Sequence, residues 1–189
     1  MGFRRGFKTE ANELTVEVRG ELGLSLYQAL DPFVLAEFLE IPIVGLSDFV
    51  REAPAIRHLL DVEPEVFSAV TVFAGSQRTI VHNDAHAPSR QRSNLTHELA
   101  HGLLLHPPTP ALDDTGCRHW NQQIEDEASW LAGALLVPET AAMAIARGRW
   151  TQAGAAQHFG VSQAMIRFRL NSTGAIKRVT RARMSGTRR

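Results

Sequence analysis

Apolar residues at helical spacing predict that the chain begins with two helices. Leu14, Val18 and Leu22 recur on one side of a helix with acidic residues opposite, and Gly23 follows as a stop. A second helix is expected to begin at Pro32, since aspartate before it is a favoured N-cap and proline is favoured at the first helical position.

The middle of the chain changes to the pattern of β-strands. Residues 69–74 and 78–83 are rich in β-branched residues, and Gly75-Ser76 between them supplies turn chemistry. We therefore predict a small antiparallel sheet. The strand over 79–83 is either an exposed edge that pairs with an extended peptide or a packed strand, and the pattern leaves both open.

Helical patterns return in the second half of the chain. Three helices are expected, over residues 94–106, 121–137 and 138–148, and Pro107-Pro108 and Pro138 mark their boundaries. The predicted fold class is α+β, a mostly helical core with a small antiparallel sheet.

The last recognisable unit has the spacing of a helix-turn-helix. Helices are expected over Gln152–Phe159 and 163–170, with Gly160 in the tight turn and Ser162 as the N-cap of the second helix. Such a unit either enters a DNA groove or packs as a buttress against the rest of the protein. Residues 175–189 carry six Lys/Arg in fifteen positions and are expected to form a flexible basic tail.

The net charge is zero, but the charges are unevenly distributed. Residues 1–139 hold 10 Lys/Arg and all 20 Asp/Glu, whereas residues 140–189 hold 10 Lys/Arg and no acid. A basic end of this kind meets nucleic acid or an acidic partner, or it pairs with the acidic body of its own chain. The single cysteine, Cys117, and the lack of a long apolar run lead us to expect a cytoplasmic protein without membrane contact.

The segment His97-Glu98-Leu99-Ala100-His101 is the most specific chemical signal in the sequence. Residues four apart lie on one face of a helix, so both imidazoles can bind one zinc ion. Glu98 is turned by about 100° from His97, which suits a general base better than a third ligand. We predict His97 and His101 as metal ligands and Glu98 as the catalytic residue.

A catalytic zinc site needs a third protein ligand, and the next predicted helix offers three consecutive acids. That helix has an apolar stripe of four residues, Ile124, Ala128, Leu131 and Leu135. Measured from the start of this stripe, Glu127 lies about 60° away, whereas Glu125 and Asp126 lie about 100° and about 200° away. A carboxylate beside an apolar face is unfavourable unless it meets a cation. We therefore predict Glu127 as the third ligand, with an edge residue that reaches water as the alternative.

Two histidines and one carboxylate form the ligand set of several zinc hydrolases, so zinc is the expected cofactor, although manganese and iron accept the same ligand types. Zinc lowers the pKa of a bound water toward ~7 and polarises a carbonyl. Glu98 would take the proton of the attacking water and pass it to the leaving amine. The residues thus predict a metallopeptidase.

Taken together, the segments resemble the ImmA/IrrE family of metallo-endopeptidases. The resemblance covers most of the chain and is carried by ten short motifs: Lys8-Thr9-Glu10-Ala11, Asp31-Pro32-Phe33-Val34-Leu35-Ala36, Ile80-Val81-His82-Asn83, Arg90-Gln91-Arg92, His97 to His101, His106-Pro107, Glu127-Ala128, Leu135-Leu136-Val137-Pro138, Phe159-Gly160-Val161-Ser162 and Arg169-Leu170. It implies a gluzincin-like peptidase domain over residues 1–148, then a helix-turn-helix-like segment over 149–174.

The resemblance also implies roles and a substrate. In this family the two motif histidines and the later glutamate bind zinc and the motif glutamate is catalytic, which maps onto His97, His101, Glu127 and Glu98. Family members cleave helix-turn-helix repressors and so relieve repression in stress or mobile-element responses. A competing interpretation is a DNA-binding regulator that uses the basic C-terminal region and holds zinc only as a structural ion.

Several polar residues are left without a specific role by the sequence. His106, at the end of the metal helix, is expected to act as a C-terminal cap, with support of the metal site as the alternative. The oxyanion of the reaction would be stabilised by one of five candidates between which the sequence does not choose: His82, His86, His119, Arg90 and Arg92.

Overall fold

The computed structural model describes residues 2–107 and 121–186, so Cys117 and His119 lie outside the described residues. The helices are α1 (Phe7–Glu21), α2 (Pro32–Phe38), α3 (Pro88–Leu103), α4 (Gln122–Leu136), α5 (Glu139–Ala146), α6 (Gln152–Phe159), α7 (Gln163–Ser172) and α8 (Ala175–Gly186). The strands are β1 (Ile43–Gly45), β2 (Ala69–Ala74) and β3 (Gln77–His82). The α+β class with a mostly helical core is therefore confirmed.

The sheet has three strands in the order β1-β3-β2. β2 and β3 pair antiparallel, with Thr71 opposite Ile80, as the sequence predicts. The sheet is nevertheless mixed rather than antiparallel, because the three-residue strand β1, too short to show a period, pairs with β3 in parallel. The idea of a free edge over 79–83 is wrong, since β3 is the central strand. In the described part of the chain the free edges belong to β1 and β2.

Polar side chains begin the helices at the positions where the sequence places them. Asp31 accepts a hydrogen bond from the amide of Phe33 at 3.0 Å, and Pro32 opens α2. Asn121 caps α4 through the amides of its first turn. Ser162 accepts from the amide of Met165 at 3.1 Å and begins α7. These side chains satisfy amides that have no partner inside a helix.

Helices α3 and α4 pack against each other at the centre of the main core. Leu95 and Leu99 of α3 and Leu131 and Leu135 of α4 are fully buried, together with Ile80 of the sheet. α3 begins at Pro88, six residues before the expected start, because proline is well tolerated in the first turn. Among the described residues, no single helix has the length and apolarity of a membrane span. Of these helices, only α4 and α5 taken together reach that length and apolarity, and the pair is bent by 64°.

The C-terminal helices form a second core around the end of α4. α6 and α7 are joined through Gly160, whose φ of 65° is readily adopted by glycine. Residues 175–186 form α8, within the segment that the sequence predicts to be a flexible tail. Ala175 and Val179, one helical turn apart, are buried, and this short apolar stripe packs the basic segment against the protein.

Two buried arginines meet the C-terminal end of α4 from opposite parts of the chain. Arg19 of α1 donates to the carbonyl of Leu135 at 2.6 Å, and also to the carbonyls of Ser25 and Gln28. Arg169 of α7 donates through Nε to the carbonyl of Val137 at 2.9 Å. Cations favour a helix C-terminus, where unpaired carbonyls carry partial negative charge. The pair therefore fixes α4 between the two cores.

Candidate metal centre

α3 presents two histidines toward one point. Its buried side, which includes Leu95 and Leu99, packs on the core and leaves the opposite side free for polar residues. His97 and His101 lie one turn apart with ring centroids 4.8 Å from each other, and their Nε2 atoms are 3.1 Å apart. Two imidazole nitrogens that face each other at this distance suit a shared metal ion or proton.

Glu125, from the first turn of α4, completes the group. Its Oε2 lies 3.1 Å from Nε2 of His97 and 3.7 Å from Nε2 of His101. Three atoms bound tetrahedrally to one zinc ion at about 2.0–2.1 Å would lie about 3.3 Å apart. The three observed separations bracket that value, so His97, His101 and Glu125 fit a zinc ion as potential ligands.

Glu127, the glutamate predicted as third ligand, lies in a different group. Its Oε1 accepts from the backbone amide of Arg4 at 3.3 Å, and its Oε2 lies 3.4 Å from Nε of Arg4. Nε2 of Gln123 also donates to it, at 3.3 Å. The cation that a carboxylate beside the apolar core requires is thus an arginine of the N-terminal segment. The structure does not bring Glu127 together with the two histidines.

The angular position of Glu127 does not determine which residue meets the histidines, because α4 has no single inward face. From Ala128 onward almost every side chain of this helix is buried, so an apolar stripe does not single out the side of the site. One signal in the sequence points to Glu125 instead. Ser129 is the one polar side chain between residues 128 and 137, and it follows Glu125 by one helical turn.

Each histidine of the group has a partner on its outer nitrogen. Oγ of Ser129 lies 3.4 Å from Nδ1 of His97. Nδ1 of His106 lies 2.9 Å from Nδ1 of His101. A histidine that binds a metal through Nε2 carries its proton on Nδ1, so each ring would donate outward to these partners. This arrangement fixes the orientation of both rings.

His106 reaches His101 because the chain reverses sharply after α3. Leu105 adopts a φ of 52°, unusual for leucine, and its side chain is exposed. The amide of His106 then donates to the carbonyl of His101 at 3.0 Å. On its far side, Nε2 of His106 faces Oε2 of Glu127 at 3.8 Å. The structure thus places His106 against the metal group, which is the alternative that the sequence favoured less.

The charges of the site follow from these contacts. Hydrogen bonds with His101 and His97 hold the pKa of the Glu125 carboxyl far below its usual range, although burial opposes them. Glu125 is therefore an anion at neutral pH. Burial lowers the pKa of His106, and the neighbouring His101 lowers it further. His106 is thus suited to remain a neutral ring between His101 and Glu127.

Glu98 lies beside the group in a cleft between α3 and the sheet. Its Oε2 accepts from Oγ1 of Thr71 in β2 at 2.6 Å, which leaves the other carboxylate oxygen for a further partner. Glu98, His101 and Glu125 line this cleft, which is closed on the sheet side by apolar residues, among them Val70 and Ile80. A carboxylate held at the wall of such a cleft suits proton transfer.

The described oxyanion candidates lie elsewhere. His86 contacts the carbonyl of Pro64 at 2.7 Å, and His82 is buried beside the ring of Phe33. Arg90 bonds Glu65, and Arg92 bonds the carbonyl of Leu30. None of these four lines the cleft that contains Glu98.

Comparison with known protein families gave one match. The model of the IrrE N-terminal-like domain, a peptidase family, matches residues 57–171. This range includes α3 and α4, and therefore all the residues of the metal group. A search of curated proteins gave no match.

Proposed function

Because the chain belongs to the ImmA/IrrE family of metallopeptidases, we propose that it is a zinc-dependent endopeptidase. Its proposed substrate is a helix-turn-helix transcriptional repressor, whose cleavage relieves repression in a stress or mobile-element response. The observation that carries the proposal is the convergence of Nε2 of His97, Nε2 of His101 and Oε2 of Glu125 within the separations a single zinc ion requires. In place of Glu127, we propose Glu125 as the third ligand.

When bound, zinc supplies the Lewis acidity that activates a water and polarises a peptide carbonyl. His97, His101 and Glu125 would hold this ion. Glu98 takes the proton from the attacking water and delivers it to the amine as the peptide bond breaks. Thr71 supports this role because its hydroxyl holds one carboxylate oxygen, and so aims the other into the cleft.

β2 offers a surface for an extended substrate. It is a free edge among the described strands, and the strand that contributes Thr71 to the cleft. A peptide in β conformation can add to such an edge through main-chain hydrogen bonds. We infer that the substrate binds along β2 as an unfolded or loop segment, so that its scissile bond lies at Glu98. The identity of the repressor as substrate rests on the family alone.

The test of the function is cleavage by a variant that keeps the metal. Glu98→Gln removes the general base but none of the three proposed ligands, so cleavage of a helix-turn-helix repressor substrate should fall by at least about 100-fold. The zinc content of the purified variant, measured by atomic emission, should stay at one ion per chain.

Thr71→Val provides a graded comparison, because it keeps the volume of the side chain and removes only the hydroxyl that holds Glu98. We expect partial activity. Cleavage by Glu98→Gln at the wild-type rate would refute the proposed mechanism. Repressor that stays intact with zinc-loaded wild-type protein would refute the proposed substrate.

A second candidate function is DNA binding by the C-terminal helices, which we infer from their exposed basic residues. Arg167 of α7 and Lys177 and Arg181 of α8 are exposed and form no ion pair within the described residues. Arg178, by contrast, bonds Glu139, so part of the basic segment pairs with its own chain. If α6 and α7 act as a helix-turn-helix, binding to the protein's own promoter should weaken steeply with salt. The triple change of Arg167, Lys177 and Arg181 to Gln should weaken it further, and no affinity at low salt would remove this candidate.

A further inference from the structure

Arg78 is a cation inside the cleft that the proposed reaction does not use. It lies in β3 opposite Phe73 of β2, and its guanidinium carbon is 5.4 Å from the centroid of the Phe73 ring. Both side chains line the same cleft as Glu98 and His101. An arginine beside an aromatic ring is held in place without losing its hydrogen-bond donors.

Gly102 makes room for Arg78 on the helix side. A β-carbon at this position of α3 would lie 3.0 Å from Nη1 of Arg78, closer than nearly all real contacts. The guanidinium is therefore seated between the Phe73 ring and the bare backbone of α3. Gly102 directly follows His101 and lies one turn after Glu98, so the guanidinium of Arg78 lies next to the metal group.

The guanidinium of Arg78 has no hydrogen bond or ion pair with any described residue. The two carboxylates that share its cleft already have partners, since Glu98 accepts from Thr71 and Glu125 contacts both histidines. A guanidinium carries five N–H donors in a planar fork that matches a carboxylate. Arg78 is half-buried, so an incoming carboxylate would meet it partly shielded from water.

We propose that Arg78 forms a specificity subsite for an acidic side chain of the substrate. This inference rests on the proposed peptidase function and adds to it a preference for Asp or Glu near the cleaved bond. Thr71 marks the level of Glu98 on β2, and Phe73, opposite Arg78, lies two residues further along the strand. Two strand residues span about 6.6–6.8 Å. The acidic residue therefore lies about two positions from the scissile bond.

The experiment uses short peptides that carry a hydroxamate, which binds a zinc ion without being cleaved. One series carries the hydroxamate at the carboxyl end and a second at the amino end, each with Glu or Gln two residues away. Binding to the zinc-loaded full chain is measured by calorimetry. In one of the two series we expect Glu to bind about tenfold tighter than Gln, the effect of one partly exposed charge-assisted pair.

Variants assign the preference to Arg78. Arg78→Gln should abolish the difference between Glu and Gln peptides, and Arg78→Glu should reverse it in favour of a Lys peptide. Gly102→Ala should reduce the difference while the charge is kept, because the new methyl displaces the guanidinium. Arg51→Glu, at an exposed arginine with no ion pair in the described residues, is the matched control and should leave the preference unchanged.

The outcomes separate this inference from the proposed function. Equal binding of Glu and Gln peptides in both series, or a preference that survives Arg78→Gln, would overturn the subsite even if the protein cleaves a repressor. A preference lost only in the Arg78 and Gly102 variants would establish the subsite even if no repressor is cut. If no hydroxamate binds, the metal centre itself is overturned and the subsite with it.

Discussion

The two ends of α4 differ in almost every physical respect. Its first two turns carry three acids, of which Glu125 faces the histidines of α3 and Glu127 faces Arg4. The last turn of α4 carries no acid, and buried Arg19 and Arg169 donate hydrogen bonds to the carbonyls at this end of the helix. Both ends follow the helix dipole, which favours anions at the N-terminus and cations at the C-terminus.

One helix therefore contributes to the metal site at its N-terminal end and to the rigidity of the fold at its C-terminal end. The N-terminal end is half-open, so a carboxylate there can exchange partners with a metal and water. The C-terminal end is dry, and its carbonyls keep fixed partners from the two cores. Substitutions at the first end should therefore alter metal binding and leave folding nearly intact, whereas substitutions at the second end should do the reverse.

The largest expected effect separates the two glutamates near the N-terminal end of α4. Glu125→Ala removes a proposed ligand, so zinc affinity in the full chain should fall by more than about 100-fold, beyond what loss of a supporting residue gives. Glu127→Ala removes the contacts with Arg4 and Gln123 and, toward the metal group, only the contact behind His106, so zinc affinity should fall by about tenfold at most. Competition with a chromophoric chelator measures both values.

Circular dichroism provides the control, because both variants must show the wild-type helix content for the comparison to hold. The reverse order, with Glu127→Ala the more damaging of two folded variants, would restore Glu127 as the third ligand and contradict the grouping seen in the structure.

The next effect tests the C-terminal end. Arg19→Met leaves three buried or partly buried carbonyls with fewer partners and should lower the free energy of unfolding by roughly 3 kcal/mol. Arg169→Met should cost about 1 kcal/mol, because this guanidinium bonds one carbonyl, and its Nη1 and Nη2 have no hydrogen-bond partner in the described part of the chain. Urea unfolding of the metal-free protein measures both.

Arg57→Met, at an exposed arginine, is the matched control for these two changes. Zinc affinity of both arginine variants, measured under conditions where they are folded, should stay within about threefold of the wild type. This change is smaller than the loss of affinity that follows removal of a residue that supports a metal ligand. A large loss of zinc affinity in Arg19→Met would mean that the two ends of α4 are not independent.

The sequence predicts the helical part of this fold well and the site in part. Caps and prolines define helices locally, so Asp31 and Ser162 occupy the positions expected of them. The pair His97 and His101 follows from spacing on one helix. The sequence did not predict that Glu125 lies beside these histidines, because its position depends on how α4 is rotated against α3, and that rotation is set by packing on all sides of α4 rather than by one stripe.

Two other differences have the same origin in tertiary contacts. β1 is three residues long, and only its pairing with β3 defines it as a strand. α8 has just two buried apolar residues, Ala175 and Val179, so its basic composition concealed a helix that packs on the C-terminal core. Local patterns carry little information where an element depends on a partner distant in the sequence.

The smallest expected effect concerns His82, a buried side chain that, unlike Arg19 and Arg169, can lose its proton near neutral pH. Burial lowers the pKa of His82 below its ordinary value of 6.5, although Asp84 and Asp48 oppose this, and its Nδ1 has no hydrogen-bond partner among the described residues. The folded state therefore favours the neutral ring. Its contribution to stability is complete above about pH 6.5 and is lost as the pH falls through the lower folded-state pKa.

The melting temperature of the metal-free protein should accordingly fall less steeply between pH 7.5 and pH 5 in His82→Gln than in the wild type. Arg57→Met, at an exposed arginine, is the matched control and should keep the wild-type slope. The arginine variants should also keep that slope, because guanidinium groups do not titrate in this range. An unchanged slope in His82→Gln would contradict this prediction, because it would show that the His82 ring gains a proton in the folded state without a loss of stability.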